Sequence, residues 1–194
     1  TYIAQIRGWL PDAVGGILWD GSDAPNMISS PPIYCQTTSV PECFDAPGAD
    51  GCTFSWKSAF WVCNWVSNMT YPRYNHLFPV VKEVRDGLDK DLSAKQPEVE
   101  AKAVALYKTN PAEAVRYLTS YSAERGATML TTWKALGERL IVEFNDMTIK
   151  PAKDGKYLRT KEGLPVRPKR VGYPDSYRKV IVDQTGDKYL LPAQ

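Results

Sequence analysis

The sequence predicts an α+β chain, with strands in its first third followed by long helices. Three observations carry that reading. Short β-prone runs separated by prolines and turn residues fill positions 1–56. Apolar residues then recur at three- and four-residue intervals from position 57 to 147. The composition, 43% hydrophobic and 24% charged over 194 residues, is that of a core-forming chain rather than a disordered one.

The first strand runs through Thr1–Arg7, and the turn signal Leu10-Pro11-Asp12 leads to a second over Gly16–Asp20. Pro25, Pro31 and Pro32 punctuate the next stretch. Ile33–Val40 gives a third strand, stopped by Pro41. Three strands without further partners make a poor sheet, so another segment is expected to complete it.

From Ser55 the pattern turns helical. Trp56, Ala59, Phe60, Trp61, Val62, Cys63, Trp65, Val66 and Met69 leave almost no polar side, which predicts a buried helix covered on both sides and bounded by Pro72. Its aromatic cluster, with Tyr71, is expected in the core. Beyond Pro79, Val80, Val81, Val84, Leu88 and Leu92 mark a second helix, and Pro97-Glu98 opens a third through about Tyr107. Asn110-Pro111-Ala112-Glu113 combines a capping Asn, a Pro at the first helical position and a Glu at the third. The stripe that follows includes Val115, Leu118, Ser122, Met129, Trp133, Leu136, Leu140 and Phe144, with Gly126 in one apolar position. It predicts a helix to Asn145, about 50 Å long, and such a stripe also suits a homo-oligomer seam. Residues 1–147 thus form the main unit, strands over 1–56 and helices over 57–147. Residues 148–194 form a basic extension containing Pro and Gly, with Lys150, Lys153, Lys156, Lys161, Lys169 and Arg170 as a surface stretch.

Twenty-four basic against 22 acidic residues leave a net +2, which gives no electrostatic case for nucleic acid as the main partner. The longest apolar run, Ala59–Val66, is interrupted by Asn64 and falls short of the ~20 residues of a membrane span. The chain opens on Thr1-Tyr2-Ile3 without an initiator Met, so an upstream part is expected to have been removed. A single histidine, His76, has no acidic neighbour in sequence and excludes multi-histidine metal sites; no metal or cofactor is expected. Thr1 formally resembles an N-terminal nucleophile, as does any chain that begins with Thr. Gly15-Gly16 lacks a phosphate-loop pattern, and Asn68-Met69-Thr70 fits a glycosylation acceptor but falls inside the helical stretch. Cys35, Cys43, Cys52 and Cys63 show no C-x-x-C spacing. Cys43 and Cys52 bracket a turn-rich segment where a disulfide would close a small loop. That predicts a secreted, periplasmic or lysosome-like setting, with reduced thiols in the cytoplasm as the alternative.

A series of short motifs gives a direction. Gln5-Ile6-Arg7, Leu10-Pro11, Gly16-Ile17-Leu18-Trp19 and Pro32-Ile33-Tyr34 come first. Thr38-Ser39-Val40-Pro41-Glu42, Ser58-Ala59-Phe60-Trp61-Val62, Asn64-Trp65-Val66, Tyr74, Gln96-Pro97-Glu98-Val99-Glu100 and Phe144-Asn145-Asp146 follow in order. Together they resemble the C-terminal part of the bacterial dipeptidase A family, relatives of the secernins, over residues 1–147. The resemblance implies a cysteine N-terminal-nucleophile hydrolase with an αββα sandwich that cleaves dipeptides. Its nucleophilic Cys begins the mature enzyme, a position that none of these four cysteines holds. The implied partners are the N-terminal chain of the same precursor and a dipeptide. Such an enzyme needs oxyanion donors and groups that hold the dipeptide termini, and strand ends are the expected source. Arg7 would fork onto the carboxylate, Asp20 would receive the α-ammonium, and Tyr34 and Ser39 would offer hydroxyls; Asp12, Asp23 and Glu42 default to solvated loop acids. The alternatives are a non-catalytic structural or oligomerisation subunit, or an amidohydrolase of the same class acting on non-peptide amides.

Overall fold

The computed structural model describes residues 1–189, in two compact units, Thr1–Ile141 and Val142 onward. The first unit opens with β1 (Tyr2–Ile6), a single helical turn α1 (Asp12–Gly15), β2 (Gly16–Asp20) and β3 (Pro32–Tyr34). These three strands form one antiparallel sheet in the order β1-β2-β3, with Ile3 opposite Trp19, Ile17 opposite Tyr34 and Leu18 opposite Ile33. The third strand is shorter than the sequence suggests. The Thr37 N–H donates to the Tyr34 carbonyl at 3.1 Å and closes a turn, and the Thr38 N–H donates to Thr119 Oγ1. Backbone groups that would have extended the ladder are therefore engaged elsewhere.

Three helices follow: α2 (Ala59–Thr70), α3 (Tyr74–Thr109) and α4 (Pro111–Phe144). The predicted cap of α4 forms, with the Glu113 N–H donating to Asn110 Oδ1 at 3.2 Å. The two helices expected after Pro79 and Pro97 are instead one, 36 residues long, with both prolines inside it. Pro97 removes one helical hydrogen bond, yet Val99 and Ala103 just beyond it are buried against Ala13, Val14, Ile17 and Tyr34. Tertiary burial holds the helix through the defect. The α4 stripe behaves as predicted in spacing: Leu118, Ser122, Met129, Trp133, Leu136 and Leu140 are all buried. Since this chain's own core absorbs them, the stripe is not available as an oligomer seam.

The second unit is built from two-residue strands, with β4 (Thr148–Ile149) paired to β7 (Lys169–Arg170) and β5 (Ala152–Lys153) to β6 (Lys156–Tyr157), followed by α5 (Asp175–Thr185). Among the described residues no helix is long and apolar enough to cross a membrane.

Candidate functional site

Period-two alternation gives the sheet two unlike faces. Ile17 and Tyr34 share the face turned toward α1, α3 and α4, and both are 1% exposed. On the same side Arg7, just past β1, reaches α3. Its Nη1 and Nη2 donate to the two carboxylate oxygens of Glu100 at 2.7 and 2.8 Å, and Nη2 also donates to the Val14 carbonyl at 2.8 Å. Tyr34 Oη and Gln96 Nε2 both donate to Glu100 Oε1, at 3.1 and 2.9 Å. Burial alone would raise the Glu100 pKa; its hydrogen bonds from Arg7, Gln96 and Tyr34 outweigh that and hold it below the usual range. The same carboxylate raises the Arg7 pKa, and burial with the Glu100 charge raises that of Tyr34.

Arg7 and Tyr34 thus meet, but as the two ends of a structural clamp. The Arg7 fork is filled by a carboxylate of this chain and is not open to a substrate carboxylate. Tyr34 is likewise spent on Glu100. Glu100 and Gln96 are the residues that reading the sequence for chemistry passed over. The available signal was a polar i, i+4 pair on the side of α3 that also carries the apolar Val99 and Ala103.

The opposite face of the sheet carries Tyr2, Ala4 and Ile6 from β1 with Leu18 and Asp20 from β2. Tyr2 is 72% and Ile6 84% exposed. Asp20 lies half-buried at the end of β2, and its carboxylate makes no hydrogen bond or ion pair among the described residues. Its charge acts on Cys43, whose thiol is pushed up to about 11, chiefly by burial and secondarily by Asp20 and Glu42. Ser39 sits exposed in the loop after β3, not on a strand.

The expected Cys43–Cys52 bridge is not formed, and all four cysteines are free thiols. Cys43 is turned inward onto α4, with its Sγ 3.2 Å from where a Cβ on Gly126 would stand. Cys52 is exposed on a turn in which Asp50 Oδ1 accepts its backbone N–H at 2.8 Å. Cys63 in α2 is buried, and burial raises its pKa strongly. Burial disfavours the thiolate at Cys43 and Cys63.

The aromatic cluster expected in the core is half outside it. α2 buries its small side, Ala59, Val62, Cys63, Val66, Ser67 and Thr70. Trp56, Phe60 and Tyr71 are each close to half exposed. Trp56 and Phe60 join a chain of ring contacts through Phe54, Trp61 and Trp65, with centroids 4.9 to 5.6 Å apart, and Tyr71 stands outside it. Within this chain α2 is therefore covered on one side only. A cleft of about 370 Å³ lies beside β1, lined by Ile3, Trp19, Arg85 and Asp89 among others. Its charges are engaged, since Arg85 donates to the Asn26 carbonyl and Ser29 to Asp89. Among the described residues no cluster of three or more His, Cys, Asp or Glu could hold a metal ion. His76 is exposed on the first turn of α3. Thr1 is tied down through its α-amino group, which donates to the Gly21 carbonyl at 2.8 Å.

A family profile described as Peptidase family C69 matches residues 1–86, from β1 through α2 into α3. This is the family the motif series resembles. No curated protein matches the chain.

Proposed function

We propose that this chain, whose residues 1–86 match Peptidase family C69, is the C-terminal part of a cysteine-type dipeptidase. The match supports a peptidase; the thiol chemistry and the dipeptide substrate are our reading. In it, an upstream segment supplies the N-terminal Cys and the second sheet of an αββα sandwich. Its thiolate attacks the scissile carbonyl, and the resulting acyl-enzyme is released by water.

Two features of the molecule support this division of labour. The face carrying Tyr2 and Ile6 is apolar and exposed along β1, while Ile33 of β3 on that face is buried, and the exposed strip suits contact with a second sheet. The outward rings of α2 lack cover in the same way. Burial raises the thiol pKa at Cys43 and Cys63, which fits a nucleophile supplied by another segment. Asp20 is the unpaired carboxylate on the open face and is our choice to receive the dipeptide α-ammonium. Arg7, Tyr34 and Glu100 act behind it, fixing the sheet on α3.

Dipeptide hydrolysis, measured with and without prior thiol alkylation and alongside intact mass, tests the reading. Turnover lost on alkylation, with an upstream polypeptide present in the active material, is the expected result. Turnover by this chain alone, or turnover indifferent to alkylation, overturns it. Asp20→Asn should then raise KM for dipeptides about tenfold or more, with a smaller change in kcat.

A further inference from the structure

The cationic side chains of this protein are not evenly spread. Residues 150–170 hold eight of them against two carboxylates, Asp154 and Glu162, a net of +6. The remainder of the chain, with 16 basic and 20 acidic residues, is net −4. Lys153, Lys156, Lys161, Arg167, Lys169 and Arg170 are all exposed and make no ion pair among the described residues. Unpaired cations at this density repel one another and gain from an anionic surface.

The same unit exposes apolar side chains that a solvated extension does not need. A tight turn, in which the Thr160 N–H donates to the Leu164 carbonyl and the Gly163 N–H to that of Thr160, lifts Lys161 and Leu164 to its tip. Leu164 is 62% exposed there. Beyond β7, Tyr173, Tyr177, Val180 and Ile181 fall at i, i+4, i+7 and i+8 in and just before α5, and all four are exposed. Among the described residues those side chains stay exposed, and Arg178 and Lys179, paired with Asp175 and Asp183, flank them.

We propose that residues 150–185 form a module that docks the protein on an anionic lipid bilayer. The lysines and arginines sit at the phosphate level, and the Leu164 tip and the α5 stripe enter the headgroup–acyl boundary. An exposed Leu164 among unpaired cations, with exposed valine and isoleucine on α5 of the same unit, favours lipid over a nucleic acid or a sulfated polymer, neither of which rewards an aliphatic side chain. The attachment is peripheral, consistent with the absence of a helix able to span among the described residues.

Co-sedimentation of the full chain with sucrose-loaded phosphatidylcholine vesicles, with and without about one-third phosphatidylglycerol, tests this. Binding to the anionic vesicles alone, released by high salt, is the expected result and needs no variant. Lys156→Gln/Lys161→Gln/Lys169→Gln/Arg170→Gln should lower the partition coefficient about 1000-fold. Tyr177→Ser/Ile181→Ser should lower it about tenfold with the charges intact. All six positions are exposed, and circular dichroism checks that each variant remains folded. No binding to anionic vesicles overturns the proposal. Equal binding to both vesicle types does so too, as does retention on heparin or DNA without vesicle binding. An undiminished Tyr177→Ser/Ile181→Ser variant removes the insertion step and with it the lipid-specific assignment.

Discussion

The two faces of the three-stranded sheet are filled differently, although the edge strand β1 is exposed on both, at Ile3 on one and at Tyr2 and Ile6 on the other. One is closed by helices and locked by a charge cluster, with Ile17 and Tyr34 almost fully buried and Arg7 gripped by Glu100. The other presents Tyr2 and Ile6 to solvent. The difference separates what this chain needs in order to fold from what the proposed upstream segment would cover. Stability resides in the first face, and the proposed chemistry belongs to the second. Glu100→Ala should break the contrast most forcefully. It strands a guanidinium whose side chain is only 12% exposed and unpairs Tyr34 Oη and Gln96. A loss of about 3 kcal/mol in urea unfolding is expected. A loss below about 1 kcal/mol would mean that Arg7 is free enough to serve a substrate after all.

The α2–α4 contact sharpens the same division, because α2 turns its small residues inward and most of its rings outward. Trp65 is the ring that goes the other way. It lies across Gly137, and a Cβ there would stand 2.2 Å from the indole. Gly126 makes similar room for Pro41, 2.5 Å from its would-be Cβ, and for Cys43. Gly137→Ala should cost about 1 to 3 kcal/mol through overpacking, although alanine is the better helix former. A stabilised variant would show that Trp65 can leave α4 and join the outer rings.

Acid should loosen the closed face before the open one. The Glu100 pKa is depressed in the folded chain, so its contribution is complete above the unfolded carboxyl value, about 4.3. It is lost as pH falls through the lower folded value. The stability gap between the parent chain and Glu100→Gln should therefore be constant from neutrality to about pH 5 and shrink below about pH 4. A gap independent of pH down to acid unfolding would show that Glu100 is not held ionised by its partners.

Much of this architecture was legible because periodicity and caps are local signals. The α4 stripe and its Asn110 cap lie where the pattern places them. The unbroken α3 was not legible, since what carries it past Pro97 is contact with Ala13, Val14 and Ile17, residues 80 or more positions away. The Arg7–Glu100 pair spans 93 residues, so an arginine at a strand end reads equally well as a substrate fork or a clamp. Hydrophobicity alone also misplaced the α2 aromatics, because it does not say which side of an all-apolar helix this chain covers. Cys43 and Cys52 look paired by spacing, but the side on which each thiol emerges depends on the Asp50 turn and on Gly126.

The smallest expected effect is the one that tests the open face directly. Ile6 is 84% exposed, so in this chain alone Ile6→Ser removes little burial and should shift stability by less than about 0.5 kcal/mol. Where an upstream sheet is present, the same position becomes interior. There the substitution places an unmatched hydroxyl at a sheet–sheet contact and forfeits the burial of an isoleucine, about 2 to 3 kcal/mol. The same variant should therefore be silent in urea titrations of the isolated chain and weaken its association with the upstream segment roughly 30-fold or more. Should Ile6→Ser destabilise the isolated chain by more than about 1 kcal/mol, that face is already covered in solution by a second copy. Sedimentation of the parent protein would then show a dimer that the variant lacks.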